Sequence, residues 1–195
     1  MRIRQATLLL CTFAALAIVV PGAKATEANR RTVVTFDEPV EVPGVVLEPG
    51  SYTFKLLDQD LDRDVVQIFD KNEGHLYATV LAIPEDRLKP TDNTVITFEH
   101  RAPEAPEAIR AWFYPGSEKG LVFVYPKERA RQLAKLNHGD VMSMSSDMQK
   151  YITTPAKSAK DPHVKAMKKA HVTAMSQSGV EREVKTTRAA SSARQ

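Results

Sequence analysis

Four aspartates that alternate with other residues in the run DQDLDRD could do chemistry together: Asp58, Asp60, Asp62 and Asp64. Alternating carboxylates in a loop can surround a hard cation such as calcium, which takes roughly six to eight oxygen ligands. A full EF-hand loop would carry a glycine at its sixth position and a glutamate at its twelfth, where this chain has Arg63 and Phe69. Two interpretations stay open: a calcium site in a calcium-dependent adhesion module, and a solvated turn between strands.

The histidines of the predicted strand region are His75 and His100. Either could act as a general base beside a loop carboxylate in a secreted hydrolase. Neither belongs to a pair with metal-ligand spacing, and the sequence contains no G-x-S-x-G motif, catalytic cysteine or phosphate-binding glycine loop. A non-catalytic protein is therefore favoured over a hydrolase, and no cofactor is expected beyond the calcium considered above.

The last predicted hairpin carries apolar residues on both of its faces, because Ile109, Ala111 and Phe113 alternate with larger aromatic residues. One face must cover the core. The other face is either buried by a helix or a second sheet, or exposed as a platform for a glycan or partner protein. The residues of this candidate ligand-binding platform, called the aromatic set below, are Trp112, Tyr114, Phe123 and Tyr125.

Residues 1–25 have the pattern of a secretory signal peptide. A basic start is followed by an apolar run over 8–20, which is too short to span a bilayer, and by an A-x-A cleavage site over 23–25. We expect an exported chain, periplasmic or extracellular, with no transmembrane segment after cleavage. Cys11 lies within the leader, so residues 26–195 contain no cysteine and must be stabilised by their core.

The rest of the chain divides into two halves of opposite charge. Residues 26–130 carry 12 basic and 19 acidic side chains, whereas residues 131–195 carry 12 basic and 5 acidic ones. Residues 139–195 are rich in Ser, Thr, Ala and Lys and contain one aromatic residue, Tyr151. That composition predicts a disordered basic tail. The tail either keeps the protein soluble or contacts anionic polymers through its basic residues: Lys150, Lys157, Lys160, Lys165, Lys168, Lys169 and Lys185.

Between leader and tail, the pattern is that of short β-strands. The dipeptides Pro43-Gly44 and Pro49-Gly50 predict two type II turns, and apolar residues recur at every second position around them. Two reversals so close together predict antiparallel neighbours. Further strands are predicted over 65–70, 75–83, 94–99, 108–114 and 121–125, with Pro84 ending the second of these.

Residues 26–138 are therefore predicted to form one domain that is mainly β. We expect a single antiparallel β-sandwich or small barrel of seven to eight strands. A helix that starts at Pro126 and ends near Asn137 is expected to cap it.

The order of motifs between Val33 and Leu136 resembles an uncharacterised family of exported bacterial proteins. The motifs are TFDEPVEVPGVVLEPGSYTFKL, VVQIF, HLYATVLAIP, AWFYPG and FVYPK. The resemblance implies a small secreted β-domain with no assigned activity and no known catalytic residues. Our leading hypothesis is a non-catalytic binding or structural module of the periplasm or cell envelope, whose partner is an envelope glycan or protein. The alternatives are the hydrolase with His75 or His100 and the calcium-dependent adhesion module.

Overall fold

The computed structural model describes residues 31–58, 63–86, 89–100, 104–137 and 139–184. These residues form thirteen strands in two sheets, together with three short α-helices. The predicted fold, mainly β and sandwich-like, is confirmed, although the strands are more numerous than the seven to eight expected. The predicted signal peptide, residues 1–25, lies outside the described residues.

The larger sheet contains the nine strands that follow one another from the start of the described chain. They are β1 (Arg31–Phe36), β2 (Val40–Val42), β3 (Val45–Leu47), β4 (Gly50–Asp58), β5 (Asp64–Asp70), β6 (Leu76–Asp86), β7 (Val95–Glu99), β8 (Glu107–Phe113) and β9 (Lys119–Phe123). Their spatial order is β1-β4-β5-β6-β9-β8-β2-β3, and β7 pairs with β8. The hairpins predicted for β5–β6 and β8–β9 are both present and antiparallel.

The smaller sheet is built by the C-terminal part of the chain. Its strands, in spatial as well as chain order, are β10 (Tyr125–Pro126), β11 (Val141–Met144), β12 (Val172–Met175) and β13 (Glu181–Glu183). Between them lie the helices α1 (Lys127–Ala134), α2 (Gln149–Ile152) and α3 (Pro162–Lys168). The predicted helix after Pro126 is α1. The expectation of purely antiparallel pairing is wrong at two places, because β2–β8 and β10–β11 are parallel.

The two Pro-Gly dipeptides behave differently. Gly44 has φ 80° and closes the antiparallel β2–β3 hairpin, as a type II turn requires. Gly50 is absent from the positive-φ residues and instead begins β4, which pairs with β1 and β5. The second predicted reversal is therefore wrong, because β4 pairs with β1 and β5 and not with β3.

Pro84 does not end its strand. The pairing of β5 with β6 stops at Ala82, while β6 continues to Asp86 along β9, with Pro84 opposite Leu121. At Pro84 the strand is therefore hydrogen-bonded on one side, so the missing proline N–H leaves no ladder bond unmade.

The aromatic set lies inside the protein, which corrects the prediction of an exposed platform. Trp112 and Tyr125 are fully buried, and Phe123 and Tyr114 are 1% and 5% exposed. The Trp112 ring packs edge-on against Phe54 at 5.6 Å, and the Tyr125 hydroxyl donates to the Ile109 carbonyl at 2.7 Å. The opposite face of the hairpin is covered as well, since Ala111, Phe113 and Val122 form a second buried cluster with Val95 and Met142.

The predicted disordered tail is wrong for residues 139–184, which are folded. They supply β11, β12, β13, α2 and α3, and their apolar side chains belong to the same core as the larger sheet. The side chains of Val141, Ile152, Val164, Met167 and Met175 are fully buried. Ordering this segment costs conformational entropy, and its composition suggested too little apolar surface to offset that cost. The burial of these side chains supplies the offset.

Candidate functional site

The aspartate run is divided by the fold. Asp58 is the last residue of β4, and Asp64 begins β5 with only 2% of its surface exposed. Asp60 and Asp62 lie outside the described residues. Across the described ranges, no group of three or more His, Cys, Asp or Glu side chains is arranged to hold a metal ion. One of the two interpretations placed the run in a solvated turn. Asp64 instead lies in a strand and is buried.

The two histidines of the strand region have different neighbours. The His75 ring packs edge-on against Tyr77 at 4.7 Å, and its backbone N–H donates to Asp70. His100 is exposed, and its backbone N–H donates to the Asn137 side-chain oxygen at 2.7 Å.

Glu99, next to His100 in the chain, is the carboxyl group whose protonation the fold changes most clearly. Its side chain is 4% exposed and lies 3.8 Å from the Arg110 guanidinium, which makes a closer contact of 3.0 Å to Glu85. Burial raises the pKa of Glu99 to about 7, and the neighbouring charges of Arg110 and His100 lower it only in part. Arg110 also donates to the carbonyl of Asp140, the residue before β11, so this cluster links β8 of the larger sheet to the start of a strand of the smaller one.

A strongly basic segment is formed by residues 149–171, which comprise α2, a connecting loop and α3. The segment contains six lysines and one aspartate, a net charge of +5. Five of these lysines have exposed side chains and no ion-pair partner, within the part of the chain that is described, and we call them the lysine face: Lys150, Lys157, Lys160, Lys165 and Lys169.

The lysine face is held on the core by buried side chains beneath it. Ile152 of α2 and Val164 and Met167 of α3 are fully buried. From the larger sheet, the Gln67 side chain donates to the Ala156 carbonyl at 2.8 Å, a buried bond between β5 and the connecting loop. The segment therefore presents its lysines from a fixed backbone.

The single aspartate of the segment is used within the loop. Asp161 precedes Pro162, the first residue of α3, and accepts hydrogen bonds from the backbone N–H groups of Lys157 and Ser158 at 2.6 and 3.2 Å. These bonds lower the pKa of Asp161, so the carboxylate stays charged. Its oxygens are engaged by backbone groups, which leaves the ammonium groups of the lysine face without a salt bridge.

An aromatic pair lies between the two helices of this segment. The Tyr151 ring of α2 stacks on the His163 ring of α3 at 6.3 Å and 21°. The Lys150 ammonium lies 5.0 Å from the centre of the Tyr151 ring. Lys165 of α3 and Lys169, which caps the C-terminal end of that helix, are four residues apart, which places them on the same side of the helix.

A cleft of about 350 Å³ is lined in part by α2, the helix that also carries Lys150, and we call it the glutamine cleft. One wall is the β2–β3 hairpin, with Gly44, Val45 and Val46, and Pro126 adds a further apolar contact. Val46 lies in β3, the strand at one end of the larger sheet, and is 48% exposed.

The polar wall of the glutamine cleft carries Glu41, Glu128, Arg129, Gln132 and Gln149. Arg129 donates to both oxygens of the Glu41 carboxylate, at 2.7 and 2.5 Å, and to the Gln132 oxygen at 2.8 Å. The Glu41 hydrogen bond raises the pKa of Arg129, so the guanidinium stays charged. Neither the amide nitrogen of Gln132 nor the Gln149 side chain has a protein partner among the described residues.

Helix α2 joins the cleft to the lysine face. Gln149 lines the cleft, and Lys150 is the next residue. Ile152, at the other end of the helix, lies under the β2–β3 turn: a β-carbon on Gly44 would be 3.1 Å from its Cδ1 atom. The cleft and the first residue of the lysine face, Lys150, are thus both carried by α2.

The lysines were predictable from the sequence as a basic segment, whereas the cleft was not. The charge imbalance between the two halves of the chain is a visible signal for the lysine face. Nothing comparable marks the cleft, because Val46 and Gln149 are about a hundred positions apart and glutamines have no diagnostic spacing.

Comparison with protein families, curated proteins and solved structures gives no match for this chain. The resemblance of residues 33–136 to exported bacterial proteins stays a prediction. Within the described residues, no helix has the length and apolar character needed to cross a membrane.

Proposed function

We propose that this protein is an exported, non-catalytic binding module of the cell envelope that binds an anionic polymer on the lysine face. The observation that carries the proposal is the set of five exposed lysines that make no salt bridge to any described residue, on a folded, core-anchored segment of net charge +5. An unpaired cluster of like charges repels itself, and a polyanion relieves that repulsion while releasing its own counterions.

The folded state of the segment favours binding over simple solubilisation. A flexible tail would lose conformational entropy whenever its lysines engaged a ligand. Here Gln67, Ile152 and Met167 already hold the backbone, so only the lysine side chains need to be ordered. Such preorganisation lowers the cost of binding.

The test is retention of the purified protein on immobilised dextran sulfate. The double variant Lys165→Gln/Lys169→Gln removes two neighbouring charges of the lysine face without changing a buried contact. We expect its affinity to fall roughly threefold or more, given about 0.2–1 kcal/mol for each exposed charge contact.

The matched control is Lys71→Gln/Lys119→Gln, which removes one exposed lysine in the turn after β5 and one at the start of β9, and so keeps net charge equal in the two variants. The proposal requires the control to retain much more affinity than the lysine-face variant. Equal losses in both variants, or no retention of the wild-type protein at low salt, would refute it.

A further inference from the structure

We propose that the anionic polymer is an acidic polysaccharide, one sugar unit of which occupies the glutamine cleft while its neighbours contact the lysine face. This inference rests on the proposed function and adds the chemical class of the ligand.

The free hydrogen-bonding groups of the cleft match hydroxyl groups. The Gln132 amide nitrogen and the whole Gln149 amide are available, so the cleft offers both donors and acceptors. A guanidinium has five N–H donors, of which Arg129 uses three on Glu41 and Gln132, and two remain. A sugar hydroxyl both donates and accepts, and can therefore satisfy either kind of group.

The residues that line the cleft offer no unpaired positive charge to an anionic group. Both carboxylates of the wall are paired with a guanidinium, Glu41 with Arg129 and Glu128 with Arg131. A sulfate or a fully deprotonated phosphate placed there would gain no net charge attraction and would have no proton for the glutamine oxygens to accept. The lysine face supplies the complementary positive charge next to the cleft, beginning with Lys150. A polymer that alternates hydroxyl-rich and charged parts fits both surfaces.

The shape of the cleft agrees with one ring-sized ligand. Its volume of about 350 Å³ lies at the small end of the range for ligand pockets, roughly 300–1,000 Å³. Val45, Val46 and Pro126 provide an apolar wall for the C–H face of a pyranose ring. The Glu41–Arg129 pair is already formed, so the polar wall need not reorganise to receive it.

The test compares binding of polygalacturonate and of inorganic polyphosphate of matched chain length, by titration calorimetry on the full chain. The wild-type protein should prefer polygalacturonate. In the variant Gln132→Ala/Gln149→Ala we expect polygalacturonate affinity to fall about tenfold, the effect of losing one or two hydrogen bonds. Polyphosphate affinity should stay within about twofold, because the lysine face is intact. Gln177→Ala, an exposed glutamine outside the cleft, is the matched control and should leave both affinities unchanged.

The possible failures are distinguishable. If polyphosphate binds as well as polygalacturonate, or if the cleft variant binds polygalacturonate like the wild type, the cleft assignment is overturned while lysine-dependent binding stands. If neither polymer binds, or if Lys165→Gln/Lys169→Gln has no effect on either, the proposed function fails and this inference fails with it.

Discussion

Individual residues in this protein show how steric space and burial set local chemistry. Gly120 lies opposite Phe113 in the β8–β9 hairpin, and a β-carbon there would be 2.2 Å from the Phe113 ring. The phenyl ring therefore covers the glycine, an arrangement that protects an otherwise unfilled position in a strand. Glu99 shows the second effect, since burial rather than a charged neighbour dominates its protonation.

Replacing Gly120 by alanine should destabilise the fold. The new methyl group must displace the Phe113 ring, which is nearly buried, so overpacking should cost about 1–3 kcal/mol of unfolding free energy. Chemical denaturation measures this. Gly139→Ala is the control, because nothing lies within 4 Å of its β-carbon, and it should change stability by less than about 0.5 kcal/mol. Equal stability of the two variants would contradict the claim that a side chain at position 120 collides with the Phe113 ring.

The stability of the protein should depend on the protonation of Glu99. An unfolded glutamate titrates near 4.5, whereas the folded group titrates at about 7, so the folded state binds more protons between these values. The contribution of Glu99 to the unfolding free energy should therefore be highest below pH 4.5 and should decline as the pH rises to 7. Glu99→Gln, which keeps a neutral side chain, should melt above the wild type at pH 8 and close to it at pH 4.5. A wild type that is the more stable of the two at pH 8 would contradict the buried-carboxyl account.

At the scale of elements, local patterns predicted the strands but not all of their neighbours. Alternating apolar residues and turn sequences identified β2 to β9, and a tight turn fixed the β2–β3 hairpin. The position of β4 beside β1 could not be predicted, because a strand pairs according to side-chain contacts across the sheet and not to the nearest turn. The prediction that Pro84 ends its strand was wrong for a related reason. Whether a strand is paired on one side or on both is decided only in the assembled sheet.

The bond from Gln67 to Ala156 should control how firmly the lysine face is attached. Gln67→Met keeps the approximate volume but leaves the buried Ala156 carbonyl without its donor, at a cost of roughly 1–3 kcal/mol. In this variant, we expect amide hydrogen exchange to become faster than in the wild type, and to do so more in residues 149–171 than in β5 and β6. Uniform exchange rates across both regions would show that the bond does not anchor this segment.

At the scale of the whole molecule, the C-terminal third completes the core of the β-domain. Its apolar residues are mostly single Val, Met and Ile side chains between alanines and lysines, which is why composition suggested disorder. Their burial depends on the sheet surface opposite them, and a sequence window does not contain that surface. The lysines were predictable as a basic segment, but their fixed arrangement and the neighbouring cleft arise only from the assembled fold.

Ending the chain at residue 138 should prevent native folding. The truncation removes Val141, Met144, Ile152 and Met167 from the core and uncovers apolar surface of the larger sheet. We expect a product that binds a hydrophobic dye and lacks a cooperative thermal transition. A truncated protein that melts cooperatively near the wild-type temperature would contradict the role assigned to residues 139–184.

The most direct test of the lysine face is the salt dependence of dextran sulfate binding by the full-length protein. If several fixed lysines displace counterions from a polyanion, the logarithm of the association constant should fall linearly with the logarithm of salt concentration. The slope should become shallower by roughly one to two in Lys165→Gln/Lys169→Gln and stay unchanged in Lys71→Gln/Lys119→Gln. A slope near zero for the wild type, or the same slope in all three proteins, would contradict the account.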